Sequence, residues 1–169
     1  FQTKSGRLLM DCGLFQGPKT LKALNYRAFP FRPADIDTVL LTHAHIDHSG
    51  LLPKLVREGY RGRILATRGT IDLCSYLLPD AGSIQESEVA TLNRRSAARG
   101  RSEVTPIYTQ ADAVASLDAF RPIKYETWIE VISGVRARFW NAGHLLGSAS
   151  IEIEFAGEGA PGQPLRLLA

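Results

Sequence analysis

A chain of 169 residues is long enough for one compact domain with a real core, and its 44% hydrophobic and 22% charged residues describe a globular protein rather than a disordered or fibrous one. No apolar run approaches the ~20 residues that a bilayer-spanning helix needs. The formal net charge of +3 permits a polyanionic partner without demanding one.

The chain opens at Phe1 on what reads as the second half of a hairpin, so a fragment of a longer protein is expected. Arg7–Asp11 is a short apolar strand ending in an acid. Gly13–Pro33 reads as irregular, punctuated by Gly13, Gly17, Pro18, Pro30 and Pro33. Thr38–Thr42 is an apolar run consistent with a strand buried on both faces. His48–Glu58 carries Leu51, Leu52, Leu55 and Val56 at helical spacing, and Gly59 is a natural stop. Arg63–Thr67 is another short strand. Thr70–Leu78 and Ile84–Ala98 read as two helices separated by a Pro79–Gly82 break, and Gln110–Phe120 as a third. Trp128–Ile132, Val135–Asn141 and Ala149–Phe155 then read as strands, with a tight turn at Ser133–Gly134 and a further strand at Leu165–Leu168. Helices among early strands, followed by a β-meander, imply a layered α/β sandwich.

The chemistry concentrates in the histidines. There are four, and three of them fall in Thr42-His43-Ala44-His45-Ile46-Asp47-His48, directly after a buried strand. His43 and His45 stand two apart on an extended segment, so both imidazoles leave the same face and together can hold one ion. Asp47 and His48 follow as the chain turns into a helix, and point to a neighbouring position. Imidazole and carboxylate suit Zn²⁺, with Mn²⁺ or Fe as competitors. The fourth, His144, follows a predicted strand, and a strand end can deliver it to the same rim. Gly143, Gly147 and Ser148 around it allow close backbone approach.

His43-x-His45-x-Asp47-His48 resembles the signature of the metallo-β-lactamase superfamily. Asp11 in Met10-Asp11-Cys12-Gly13 looks like that family's first motif, and Ala142-Gly143-His144 like its third. Asp47-His48-Ser49-Gly50-Leu51-Leu52-Pro53-Lys54-Leu55 resembles the β-CASP branch of RNA-processing nucleases. So do Asp80–Glu86 with Leu92-Asn93-Arg94-Arg95, and Gly143–Ala149. The resemblance implies an αββα sandwich, of which residues 1–169 are a partial metallo-β-lactamase-like domain. The family's bridging aspartate, its C-terminal ligand histidine and the β-CASP subdomain are not among these residues. It implies that His43, His45 and His144 bind one zinc and that Asp47 and His48 bind a second. Asp11 is then a supporting residue that orients the ligand loop. The implied reaction is hydrolysis of RNA phosphodiesters by a hydroxide activated between two metals, with RNA as the macromolecular partner and no membrane.

Two other functions remain compatible with the same core. A small-molecule thioester or lactone hydrolase uses the same ligands but is not expected to share the Asp80–Arg95 stretch. A non-catalytic partner protein is opposed by intact residues at all five ligand positions. The rest of the chain reads more plainly. Cys12 and Cys74 lack metal-type spacing and read as buried reduced thiols, which fits a cytoplasmic enzyme. Arg94, Arg95, Arg99 and Arg101 read as a solvated helix end rather than an RNA contact, and Glu86 and Glu88 as surface residues. Trp128 and Trp140 read as core rather than as base-stacking platforms.

Overall fold

In the computed structural model, which describes residues 1–97, 102–156 and 164–169, short aliphatic runs build two four-stranded sheets. The first is parallel, in the order β1 (Leu8–Met10), β2 (Thr38–Leu40), β3 (Arg63–Thr67), β4 (Phe120–Ile123). The second is an antiparallel meander of β5 (Ile129–Ile132), β6 (Val135–Asn141), β7 (Ala149–Phe155) and β8 (Leu165–Leu168). Because side chains alternate across a strand, Val39, Leu41, Ile64 and Ala66 face one way, into a core shared with Leu52, Leu55, Cys74 and Leu78. Leu8, Leu40 and Leu65 face the other way, against Val131, Val135, Phe139, Ile151 and Ile153 of the second sheet. The result is helix on sheet on sheet. The outer helical layer of the expected αββα sandwich is not found among the described residues, and the second sheet's far face is bare.

The helices are α1 (Lys19–Lys22), α2 (Ile46–Ser49), α3 (Leu52–Arg57), α4 (Arg68–Ala97) and α5 (Gln110–Ser116). No helix among the described residues is long and apolar enough to cross a membrane. Several elements differ from the sequence reading. The Gly13–Pro33 segment holds α1 and the 3₁₀ turn Ala23–Tyr26, and a second, Pro33–Asp35, starts at its last residue. Its order comes from the buried Lys54 ammonium, which donates to the carbonyls of Asn25 and Arg27, while the Asn25 amide clasps the backbone of Phe15. The single helix expected over His48–Glu58 is two, because the chain breaks at Gly50–Leu51 and restarts with Pro53 in the first turn of α3, where its missing N–H costs nothing.

Conversely, the break expected at Pro79–Gly82 is absent, and α4 runs through it. An interior proline costs ~3 kcal/mol relative to alanine. Burial of Cys74 and Leu78 on one side, and of Gly82 against α5 on the other, outweighs it. The Gln110–Phe120 helix ends at Ser116, and Phe120 opens β4, a strand the pattern hid behind the exposed Arg121 and Pro122. Proline is tolerated there because β4 lies at the sheet edge. Trp128 and Trp140 are half-buried on the bare outer face rather than in the core. Trp140 shares strand parity with Arg136 and Arg138, so it points outward with them, and the two indoles flank the Arg138 guanidinium at 4.5 and 4.3 Å. Cys12 and Cys74 are free and buried, and burial pushes both thiols up to about 12.

Candidate metal centre

All four parallel strands end at one edge of the first sheet, and the loops leaving that edge carry the polar residues. β1 delivers Asp11 and β2 delivers His43 and His45. His144 arrives from the second sheet, on the loop between β6 and β7. His43 Nε2 lies 3.1 Å from His45 Nδ1, and His144 Nε2 lies 3.2 Å from that same nitrogen. The three rings meet edge-on, and one nitrogen of each lies within 4.8 Å of the others. Two imidazole edges crowded on one ring nitrogen make a poor hydrogen-bond arrangement. Tetrahedral coordination at ~2.0–2.1 Å sets ligand nitrogens about 3.3 Å apart, so the three imidazoles fit a divalent cation between them.

The neighbours set the protonation pattern. Asp11 Oδ1 accepts from the Thr42 backbone N–H at 2.8 Å, and Oδ2 accepts from the Thr42 hydroxyl at 2.8 Å. Having given its proton to Asp11, that hydroxyl is left to accept from His43 Nδ1 at 2.9 Å. The His43 Nε2 lone pair is therefore turned to the site. His48 Nδ1 likewise faces Asp11 Oδ2 at 2.6 Å, which leaves its Nε2 open, 3.9 Å from Asp47 Oδ2. Burial first, and the neighbouring His48 ring second, lower the pKa of His43 and favour the neutral imidazole, the form that binds metal. Asp47 is half-exposed at the mouth, and the His43 and His48 rings lie 4.0 Å apart between centroids. Asp47 and His48 thus stand together beside the three-nitrogen cluster, on the short α2 rather than at the start of a longer helix.

The backbone holds this arrangement tightly. The segment after β1 runs along the ligand turn, with Cys12 N–H donating to His48 O at 2.7 Å and Leu14 N–H to Ile46 O at 2.9 Å. A Cβ at Gly13 would stand 1.6 Å from Asp47 O, so only glycine fits. The His144 loop is pinned at both ends. Ser148 Oγ accepts from the backbone N–H groups of His144 and Leu145, and the Thr67 and Thr70 hydroxyls both meet Gly147 O. Thr42, Thr67 and Thr70 escaped the sequence reading because lone hydroxyl residues form no pattern, and Ser148 was read only as a small residue, not as an acceptor. Of the basic stretch, Arg94 and Arg95 are exposed, and Arg99 and Arg101 lie outside the described residues. Glu86 and Glu88 are exposed, and Glu86 accepts from the Gln110 N–H at the start of α5.

A family model for the metallo-β-lactamase superfamily matches residues 1–60. The chain is 39% identical to a ribonuclease from Thermus thermophilus, over 90% of this chain and 30% of that protein. It is 33% identical to a transcription termination factor from Methanocaldococcus jannaschii, over 94% of this chain and 23% of that protein. It is 31% identical to cleavage and polyadenylation specificity factor 73 from Drosophila melanogaster, over 91% of this chain and 20% of that protein. The chain therefore spans less than a third of the length of these curated relatives. Among solved structures, a subclass B3 metallo-β-lactamase from a soil metagenome matches 99% of this chain and 53% of its own, with TM-score 0.57 at 18% identity, a likeness of fold.

Proposed function

We propose that the chain belongs to the β-CASP branch of the metallo-β-lactamase superfamily and carries the metal centre of a zinc-dependent nuclease that hydrolyses RNA phosphodiester bonds. The observation that carries this reading is the meeting of His43, His45 and His144 around one point, from strands of two different sheets. Zinc is the favoured ion because the cluster is all imidazole, with His43 and His144 nitrogens 3.1 and 3.2 Å from His45 Nδ1. RNA is favoured because the relatives include a ribonuclease and a cleavage factor. Two free, buried thiols suit a reducing compartment such as the cytoplasm.

Zinc bound there supplies a lowered pKa for water and Lewis acidity toward a phosphoryl oxygen. The residues do the rest. Thr42 and Asp11 hold His43 and His48 in the tautomers that present Nε2. His48 and Asp47 offer a nitrogen and a carboxylate beside the first cluster, suited to a second cation or to a proton moving at the mouth. Leu146, exposed on the His144 loop, leaves one wall of the mouth apolar.

The test is metal analysis and RNA cleavage with the complete protein. His43→Ala, His45→Ala and His144→Ala should each remove bound zinc and lower cleavage by at least about a hundredfold, a barrier increase of ~3 kcal/mol. Full zinc content and wild-type cleavage in His144→Ala would overturn the assignment.

A further inference from the structure

A cleft of about 540 Å³ opens beside the histidines, at the same edge of the first sheet. Arg68 and Gly69, which follow β3, and Lys124 and Tyr125, which follow β4, line one side. Asn141, the last residue of β6, and Leu146, in the loop that carries His144, line the other. None of the residues lining it is acidic. Ligands of parallel sheets collect outside the carboxyl ends of the strands, and here the order along that edge is informative. β2 carries His43 and His45, its neighbour β3 carries Arg68, and β4 carries Lys124. Strands ~4.8 Å apart put the two cations within about 10 Å of the histidines along the sheet edge, the reach of a neighbouring phosphate on one strand of RNA.

The cleft is physically tied to the site. A Cβ at Gly147 would stand 2.1 Å from Thr70 N, and one at Gly69 would stand 3.0 Å from Gly147 Cα, so the start of α4 and the His144 loop are in backbone contact. Three of the polar groups lining the cleft can receive a ligand, while the Thr67 and Tyr125 hydroxyls are spent on Gly147 O and Ser148 O. Lys124 has no ion-pair partner among the described residues. Arg68 pairs with Asp72 at 2.9 Å, but both side chains are more than half exposed, and such pairs hold weakly against a phosphate. Asn141 uses its Oδ1 to accept from Gly143 N–H, which leaves its amide nitrogen to donate. The apolar surface of Leu146 and Ile123 suits a base or ribose.

We propose that this cleft seats the nucleotide next to the scissile phosphate, with Lys124 and Arg68 receiving the adjoining phosphate and Asn141 donating to the ribose or base. The proposal rests on the RNA-hydrolase reading and deepens it. The experiment compares wild type, Lys124→Glu and Arg68→Glu in the complete protein. It measures affinity for a short labelled single-stranded RNA across salt concentrations, turnover of that RNA, turnover of bis(p-nitrophenyl) phosphate, and zinc content. The small diester carries one phosphate and so offers no adjoining phosphate to Lys124 and Arg68. RNA affinity should fall at least about tenfold in each variant, and the salt slope should flatten by about one unit, with diester turnover and zinc content unchanged. Unchanged RNA affinity in both variants overturns the cleft assignment. A wild type that binds zinc and RNA but cleaves neither RNA nor diester overturns the hydrolase reading instead, and the affinity comparison still decides the cleft.

Discussion

Asp11 commits its backbone and its side chain to the same end. It sits at φ 53°, a left-handed conformation that asparagine and aspartate tolerate better than other side chains, and from there its carboxylate reaches Thr42 and His48 together. Asp11→Asn keeps that conformational tolerance but sets an amide N–H against two donors. Zinc affinity should fall ~10–100-fold by competition with a chelator, while the far-ultraviolet circular dichroism stays unchanged. His43 carries a pH prediction. Its folded pKa lies below the unfolded value of 6.5, so the unfolded chain takes up the proton first as pH falls. The metal-free protein should therefore lose stability on acidification, beginning near the unfolded value and ending once pH drops below the folded one. His43→Gln should flatten that part of a melting-temperature profile, and an identical profile would show that His43 does not contribute. The cluster was legible in the sequence because all four histidines fall in or beside it. The hydroxyls that aim them were not, since Thr42 and Ser148 acquire their roles only from what the fold sets beside them.

Among the elements, α4 shows where local rules yield to packing. Pro79 and Gly82 are both breakers by propensity, yet the helix continues through them, and Gly82 is needed for proximity rather than for a turn. A Cβ there would lie 2.8 Å from Gln110 N and 2.9 Å from Thr109 C, both backbone atoms of the segment that opens α5. Gly82→Ala should improve helix propensity by ~1 kcal/mol, but forcing α5 away costs ~1–3 kcal/mol by overpacking. The clash wins, so the net effect in urea denaturation should be destabilising; a more stable variant would mean that the two helices separate freely. The strands of the meander were readable almost to the residue, because residues alternate through Val135–Phe139 and Ala149–Ile153. β4 was not, because its burial depends on pairing with β3, 56 residues away at Phe120↔Ile64, rather than on its own pattern.

At the scale of the molecule, the three imidazoles span both sheets, so a bound ion ties them together. Zinc at a hundred times its dissociation constant should stabilise the fold by about 2.7 kcal/mol, a rise of roughly 5–10 °C in melting temperature for a chain of this size. His144→Ala should abolish that rise, because it removes the only histidine contributed by the second sheet. The bare face of that second sheet has a different character from the rim that carries the cations. Across its four strands Glu130, Arg136, Glu154 and Arg166 stand in register, and Arg138 pairs with Glu152 in the next row. Three cations and three anions interleaved so closely cancel within about 8 Å, the screening distance of physiological salt. The sheet's back is thus electrostatically silent to an approaching polyanion despite its arginines. On the proposed reading, an RNA strand gains nothing by lingering there, and its productive collisions are left to the edge where Arg68, Lys124 and the histidines lie.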